Sequence, residues 1–266
     1  MTAINPARLK IQCADLCENF SYPEKFLSGL HDLLAFYAAR IRQTSLTRTP
    51  LTMQTYQVPS PVLWALINEL EDLLNDEPEI SLQLIDALWE VEWNEFRQLA
   101  IICLGKVPPL KPENILDRVK SWLENCTAEN IRRKIMTRGL VRLAEEKPKV
   151  VFGFFGDLVR SGSNKNHQAA LFGLLAFAAN QNFDNLPVIY TLLAEILQTE
   201  ETGLVKEITA LLRTLGKRSE QETAYFLERQ VAAAAKPRIF RVTRQVMGKF
   251  NQENQALLRD ALKTFS

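Results

Sequence analysis

Apolar residues recur at three- and four-residue spacing through almost the whole chain, the pattern of amphipathic helices that each bury one stripe. Proline and short polar turns punctuate it, at "VPPLKPEN", "EKPKV", "SGSNKN", "NFDNLP" and "LGKRSEQ". Between these breaks the spacing predicts helices over 6–20, 23–43, 61–74, 79–91, 93–106, 112–125, 128–146, 148–161 and 164–180. Further helices are expected over 186–198, 203–216, 219–234, 238–250 and 253–264. The stretch "QTSLTRTPLTMQTYQVPSP" has little periodicity and reads as the one long connection. The expected organisation is a single unit over 1–266: an N-terminal hairpin over 1–43, a linker over 44–60, and helical repeats over 61–266.

From residue 78 onward the helices come in pairs. The second helices align as "EFRQLAI", "NIRRKIM", "NHQAALF", "LVKEITA" and "IFRVTRQ". That alignment sets Arg97, Arg132, His167, Lys206 and Arg241 in one column, separated by 35, 35, 39 and 35 residues. Recurrence at this period is the signature of stacked two-helix repeats, each covering the apolar face of its neighbour. The fold class expected is therefore all-α, a curved α-solenoid of antiparallel helical hairpins with about 13–14 helices.

The column admits two readings. Basic residues along the second helices of a solenoid suit a concave anion-binding surface. Yet Arg97 shares its helical face with Ala100, Ile101 and Leu104, Arg132 with Ile135, Met136 and Gly139, and His167 with Ala170, Leu171 and Leu174. A charge on such a stripe has to be paired, so these three are expected to tie the scaffold together. Arg241 differs, because it lies with Arg238, Gln245 and Lys249 opposite Ile239, Val246 and Phe250, on a face expected to meet water or a partner.

Charge is segregated along the chain although the net is only +1. Residues 71–95 hold nine acids and no Lys or Arg, whereas residues 236–250 hold five basic residues and no acid. Lys134, Arg138 and Arg142 follow at four-residue spacing, which predicts one exposed basic line on the helix over 128–146. Two basic faces on second helices are what phosphate-backbone binding requires, since affinity grows with the phosphates neutralised.

Composition removes several alternatives. At 47% hydrophobic and 24% charged, with ten glycines, the chain is a soluble helical protein with ample core material. No run approaches the ~20 apolar residues of a membrane span, and charges interrupt the N-terminus, so a cytoplasmic protein without membrane contact is expected. Cys13 and Cys17 stand one helical turn apart, but His31 and His167 do not sit at ligand spacing from any cysteine. Reduced, partly buried thiols are expected, with no metal and no cofactor. GxGxxG, Walker-type GK[ST], HExxH and GxSxG are all missing from the sequence.

Two adjoining stretches are more specific. "YQVPSPVLWALINEL" followed by "LIDALWEVEWNEFRQLAIICLGK" resembles the HEAT-like-repeat alkylpurine DNA glycosylases of the AlkD type, over roughly residues 56–180. The resemblance implies a C-shaped solenoid that grips duplex DNA and excises a cationic alkylated base. It also implies a site in which an aspartate lies between two tryptophans with an arginine close by. A carboxylate there stabilises an oxocarbenium-like transition state, and aromatic faces hold a cationic lesion.

Carried over position by position, the site departs from that pattern. The Trp-Asp-x-Val-Asp stretch best matches "LDRVK", so Leu116 replaces the tryptophan and Lys120 the catalytic aspartate, while Leu174 stands for the second tryptophan. Only the arginine persists, as Arg132 or Arg133. Asp117 and Trp122 are close in sequence but project differently, since three residues along a helix is about 300° of rotation.

No catalytic residue is therefore assigned, and the enzyme question leans towards no activity. The expected function is a non-excising relative of the glycosylases that contacts nucleic-acid backbone, duplex DNA foremost, through Lys120, Arg133, Lys134, Arg138, Arg142, Arg238, Arg241 and Lys249. The alternatives are a protein-interaction scaffold, for which the acidic stretch 71–95 is an equal docking candidate, and an active glycosylase with a rearranged site.

Overall fold

The computed structural model describes residues 4–42, 53–199, 203–233 and 236–264, so residues 44–52 of the expected linker lie outside the described residues. The described residues form fifteen helices and no strand. They are α1 (Pro6–Cys17), α2 (Pro23–Arg42), α3 (Ser60–Asp76), α4 (Pro78–Glu90), α5 (Asn94–Leu104), α6 (Pro112–Asn125), α7 (Glu129–Arg138) and α8 (Val141–Glu146). There follow α9 (Pro148–Arg160), α10 (Asn164–Ala179), α11 (Leu186–Gln198), α12 (Val205–Arg218), α13 (Glu220–Ala233), α14 (Pro237–Met247) and α15 (Gln252–Thr264). Proline occupies the first turn of α1, α3, α4, α6, α11 and α14, where its missing N–H costs nothing and its fixed φ suits a helix start.

The chain divides into two compact units, residues 1–148 and 149–266. In the first unit α1, α3, α5 and α7 pack in succession as one layer, and α2 packs on α4 in the other. Tertiary pairs extend that second layer to α6: Arg118 on α6 bonds Asp86 on α4 at 2.6 Å, and Trp122 stacks on Trp89 with ring centroids 4.2 Å apart. In the second unit α10, α12 and α14 form one layer, and α11, α13 and α15 the other. Each helix turns its apolar stripe into the space between layers, as a helical repeat requires.

One expected helix is two. The periodicity over 128–146 runs on unbroken, but the structure ends α7 at Arg138 and starts α8 at Val141, with Leu140 at φ −110° and ψ 7°. The cause is tertiary. Gly105, at the end of α5, lies so close that a Cβ there would overlap the carbonyl oxygen of Arg138. The Arg142 amide then donates to the Gly105 carbonyl at 3.1 Å, a bond that an uninterrupted helix would not release.

The segment before α3 is held by a residue that reads in sequence as one more surface acid. Glu95, in the first turn of α5, is 3% exposed. Its carboxylate accepts from Thr55 Oγ1 at 2.6 Å, the Gln57 amide at 2.8 Å and the Tyr56 amide at 3.2 Å. Tyr56 stacks on Trp93 at 4.2 Å, and its hydroxyl lies 2.7 Å from Nδ1 of His31. Gln57 pays for this fit with φ +59°, a left-handed conformation that costs a side-chain-bearing residue about 1–2 kcal/mol. Gln57→Gly is expected to raise stability by up to about 1 kcal/mol in urea unfolding, because its side chain is exposed and only its amide is used.

Burial accounts for the thiols. It pushes Cys13, Cys17 and Cys103 up to about 12. The folded chain thus keeps these protons while the unfolded chain releases them near pH 9, so their contribution to stability is lost progressively as pH rises from about 9 towards 12. With burial holding the thiols protonated, iodoacetamide is expected to label the buried Cys13 and Cys103 only after unfolding, as read by mass spectrometry.

Candidate nucleic-acid interface

The column of basic residues resolves into two kinds. Arg97 lies over the Trp89 ring at 5.0 Å and 3.6 Å from Glu92. Arg132 is buried and donates to the carbonyls of Leu123 and Cys126 at the end of α6, and burial lowers its pKa. His167 is fully buried with Nε2 at 2.8 Å from the Val159 carbonyl, in the last turn of α9. Arg132 and His167 thus satisfy carbonyls that a helix end leaves without an intrahelical partner, and the Arg132 guanidinium complements the negative end of that dipole. Lys206 and Arg241, by contrast, are exposed.

Arg238 belongs with the first kind, contrary to the sequence expectation. It is 6% exposed and donates to the carbonyls of Ile196 and Thr199, the latter at 2.9 Å. The helical wheel placed it with Arg241, but Pro237 starts α14 here, and the first turn lies against the end of α11. Arg238→Ala is expected to cost about 1–3 kcal/mol in chemical unfolding, by leaving buried carbonyls unpaired, with no loss of affinity for nucleic acid per folded molecule.

Arg142 is also committed. It bonds Glu146 at 2.7 Å, Asn75 Oδ1 at 3.1 Å and the Lys106 carbonyl at 2.8 Å. Because α7 breaks before it, it does not continue a line with Lys134 and Arg138. Arg133 and Arg138 are exposed on α7, with Arg133 3.4 Å from Glu129. Lys134 is half-buried; burial lowers its pKa, with the nearby Glu95 carboxylate acting against that shift. Lys120 is exposed on α6, in the layer opposite α7.

In the second unit the structure gathers cations that the sequence reading left out. α12 exposes Lys206, Arg213 and Lys217, whose spacing of seven and four residues places them on one helical face. Thr209 donates to Gln245 Oε1 at 2.9 Å, and Arg213 reaches the Gln245 carbonyl at 3.4 Å, so this face adjoins that of α14. There Arg241 and Arg244 are exposed, and Lys249 follows just beyond the helix. None of these six forms an ion pair among the described residues. The spacing on α12 was readable in sequence; its junction with α14 was not.

The two layers of this unit carry opposite charge. α12 has four basic residues and one acid, the buried Glu207, and α14 has three basic residues and no acid. On the other side α11, α13 and α15 together have six carboxylates and three basic residues. A field of one sign along one layer draws polyanions to that layer.

The positions that the resemblance links to base excision are dispersed. Leu174 is fully buried, Leu116 is half-buried on α6, and Trp122 is buried against Trp89. Asp117 is exposed and forms no ion pair among the described residues; its neighbour Arg118 takes Asp86 instead. Among the described residues no three His, Cys, Asp or Glu side chains converge as metal ligands, and no helix is long and apolar enough to cross a membrane.

Paired helices layered within each unit, with exposed cations on α12 and α14 of the second, define an all-α protein of the helical-repeat kind. The chain belongs to the DNA alkylation repair enzyme family, whose model matches residues 41–264. No curated protein and no solved structure matches it.

Proposed function

We propose that this protein binds the sugar–phosphate backbone of duplex DNA through exposed cations and does not excise a base. The contact residues are Lys206, Arg213, Lys217, Arg241, Arg244 and Lys249 in the second unit, with Arg133, Lys134 and Arg138 on α7 in the first. The second helices of the pairs, α7 in the first unit and α12 and α14 in the second, carry these side chains, with Lys249 just beyond α14. Arg142, Arg238 and Lys120 are not in the set, since two are bonded to scaffold carbonyls and the third lies on the opposite layer.

The observation that carries this reading is the opposite charge of the two layers in the second unit. Membership of a DNA repair family supplies the polyanion. The absence of excision is supported by a lysine and two leucines at the positions the resemblance assigns to the aspartate and tryptophans.

Fluorescence anisotropy against a labelled duplex, repeated across salt concentrations, is the test. With one phosphate neutralised by each of these nine cations, the log–log slope is expected to be about −8, at about −0.9 per contact. No binding at low salt removes the proposal. Incubation with methylated DNA is expected to release no methylpurine; release that disappears in Asp117→Asn would establish a rearranged glycosylase instead.

A further inference from the structure

A second surface lies on the acidic layer of the 149–266 unit. α11 and α13 are neighbours in that layer but splay apart, leaving an open groove of about 950 Å³. Its apolar and aromatic lining comes from Tyr190, Ala194, Tyr225 and Phe226. The floor is fixed: the Tyr190 hydroxyl lies 2.8 Å from Thr223 Oγ1, and its ring packs on Phe226 at 5.0 Å. One end is closed by the amides of Gln198 and Gln230, 3.2 Å apart. Tyr225 stands there at 57% exposure, a large aromatic surface left in water, with the Arg229 guanidinium 5.9 Å from its ring.

We propose that this groove docks an amphipathic helix of a partner protein that carries lysine or arginine beside its apolar stripe. Length supports a helix: the lining residues of α11 run from Pro187 to Gln198, which at 1.5 Å per residue is about 16 Å, or three turns. The groove lies between two neighbouring helices, a place where a third helix can lay its ridge of side chains. Charge selects the chemistry. Glu195 and Glu222 line the walls and form no ion pair among the described residues, and the two helices bear four carboxylates against the single Arg229. Such walls repel phosphate and favour a cationic segment laid along an apolar floor. The surface is distinct from the proposed DNA face, because it lies on the layer of opposite sign.

The test titrates the full chain into a fluorescein-labelled, hydrocarbon-stapled helical peptide, with leucines at i, i+3 and i+7 and lysines on either flank. A matched peptide carries glutamate in place of lysine. Saturable binding of the lysine peptide is expected, at least tenfold tighter than the glutamate peptide and weakening with salt. Tyr225→Ala is expected to weaken it about tenfold, and Glu222→Lys to reverse the preference between peptides. Both residues are exposed, and circular dichroism melts verify folding of the variants. Equal affinity for both peptides, no binding of the lysine peptide, or binding unmoved by both substitutions overturns the proposal. Self-association in sedimentation equilibrium that Tyr225→Ala abolishes would assign the groove to a second copy, and displacement of the peptide by single-stranded DNA would assign it to nucleic acid; either result overturns the proposal too.

Discussion

Replacing Arg213, Arg241 and Arg244 together with alanine is expected to weaken duplex binding by a factor on the order of 10² to 10³ at ~0.1 M salt, and to lower the salt slope by about 3. The arithmetic is one phosphate contact, and nearly one decade of affinity at that salt, for each cation removed. All three side chains are exposed on the adjoining faces of α12 and α14, so the fold is expected to survive. The contrast with Arg238→Ala makes the result interpretable. That variant removes a cation from the same helix, but one already bonded to the Ile196 and Thr199 carbonyls, so stability falls and DNA affinity does not. Equal effects of both on affinity would mean that net charge alone, and not this face, attracts DNA.

Gly105→Ala is expected to be the most damaging single methyl group in the first unit, lowering stability by about 3 kcal/mol in urea titration, at the upper end for overpacking. Gly105 has φ −70°, so its backbone conformation suits any residue. What excludes a side chain is the Arg138 carbonyl, a backbone group in another helix end that no rotamer change can move. Relief would require separating α5 from the junction of α7 and α8, and with it the bond from the Arg142 amide to the Gly105 carbonyl. Gly153, by contrast, has open space where its Cβ would stand, and Gly153→Ala there is expected to be neutral or slightly stabilising.

Local signals were strong wherever a helix begins or ends on its own chemistry. The starts at Pro6, Pro23, Pro78, Pro112 and Pro148 coincide with prolines, and the observed helices follow the periodic stretches closely. The exception at Gly139 and Leu140 had only a single glycine as a local sign, and the contact with the end of α5 is what makes the break necessary. The basic residues show the same limit. Arg132 and Arg238 are as basic in sequence as Arg133 and Arg241, and the helical wheel separated only the first pair correctly. The position of α14 against the end of α11 was needed for the second. Glu95 was hidden for a related reason: its three donors lie about forty residues upstream, in a stretch without periodicity.

The sequence by itself determined that this protein is all-helical, built of paired repeats, and related to DNA alkylation repair proteins. These follow from apolar spacing, proline placement and a Trp-acid-Arg-Ala order, all properties of neighbours along the chain. The tertiary structure alone decided which cations meet solvent and which close a helix end, where a helix must break, and which helices share a layer of one charge. Those depend on the burial of each polar group and on its partners across the fold, which for the bond from Arg238 to Thr199 and the bonds joining α10, α12 and α14 lie 36 to 39 residues away in chain order.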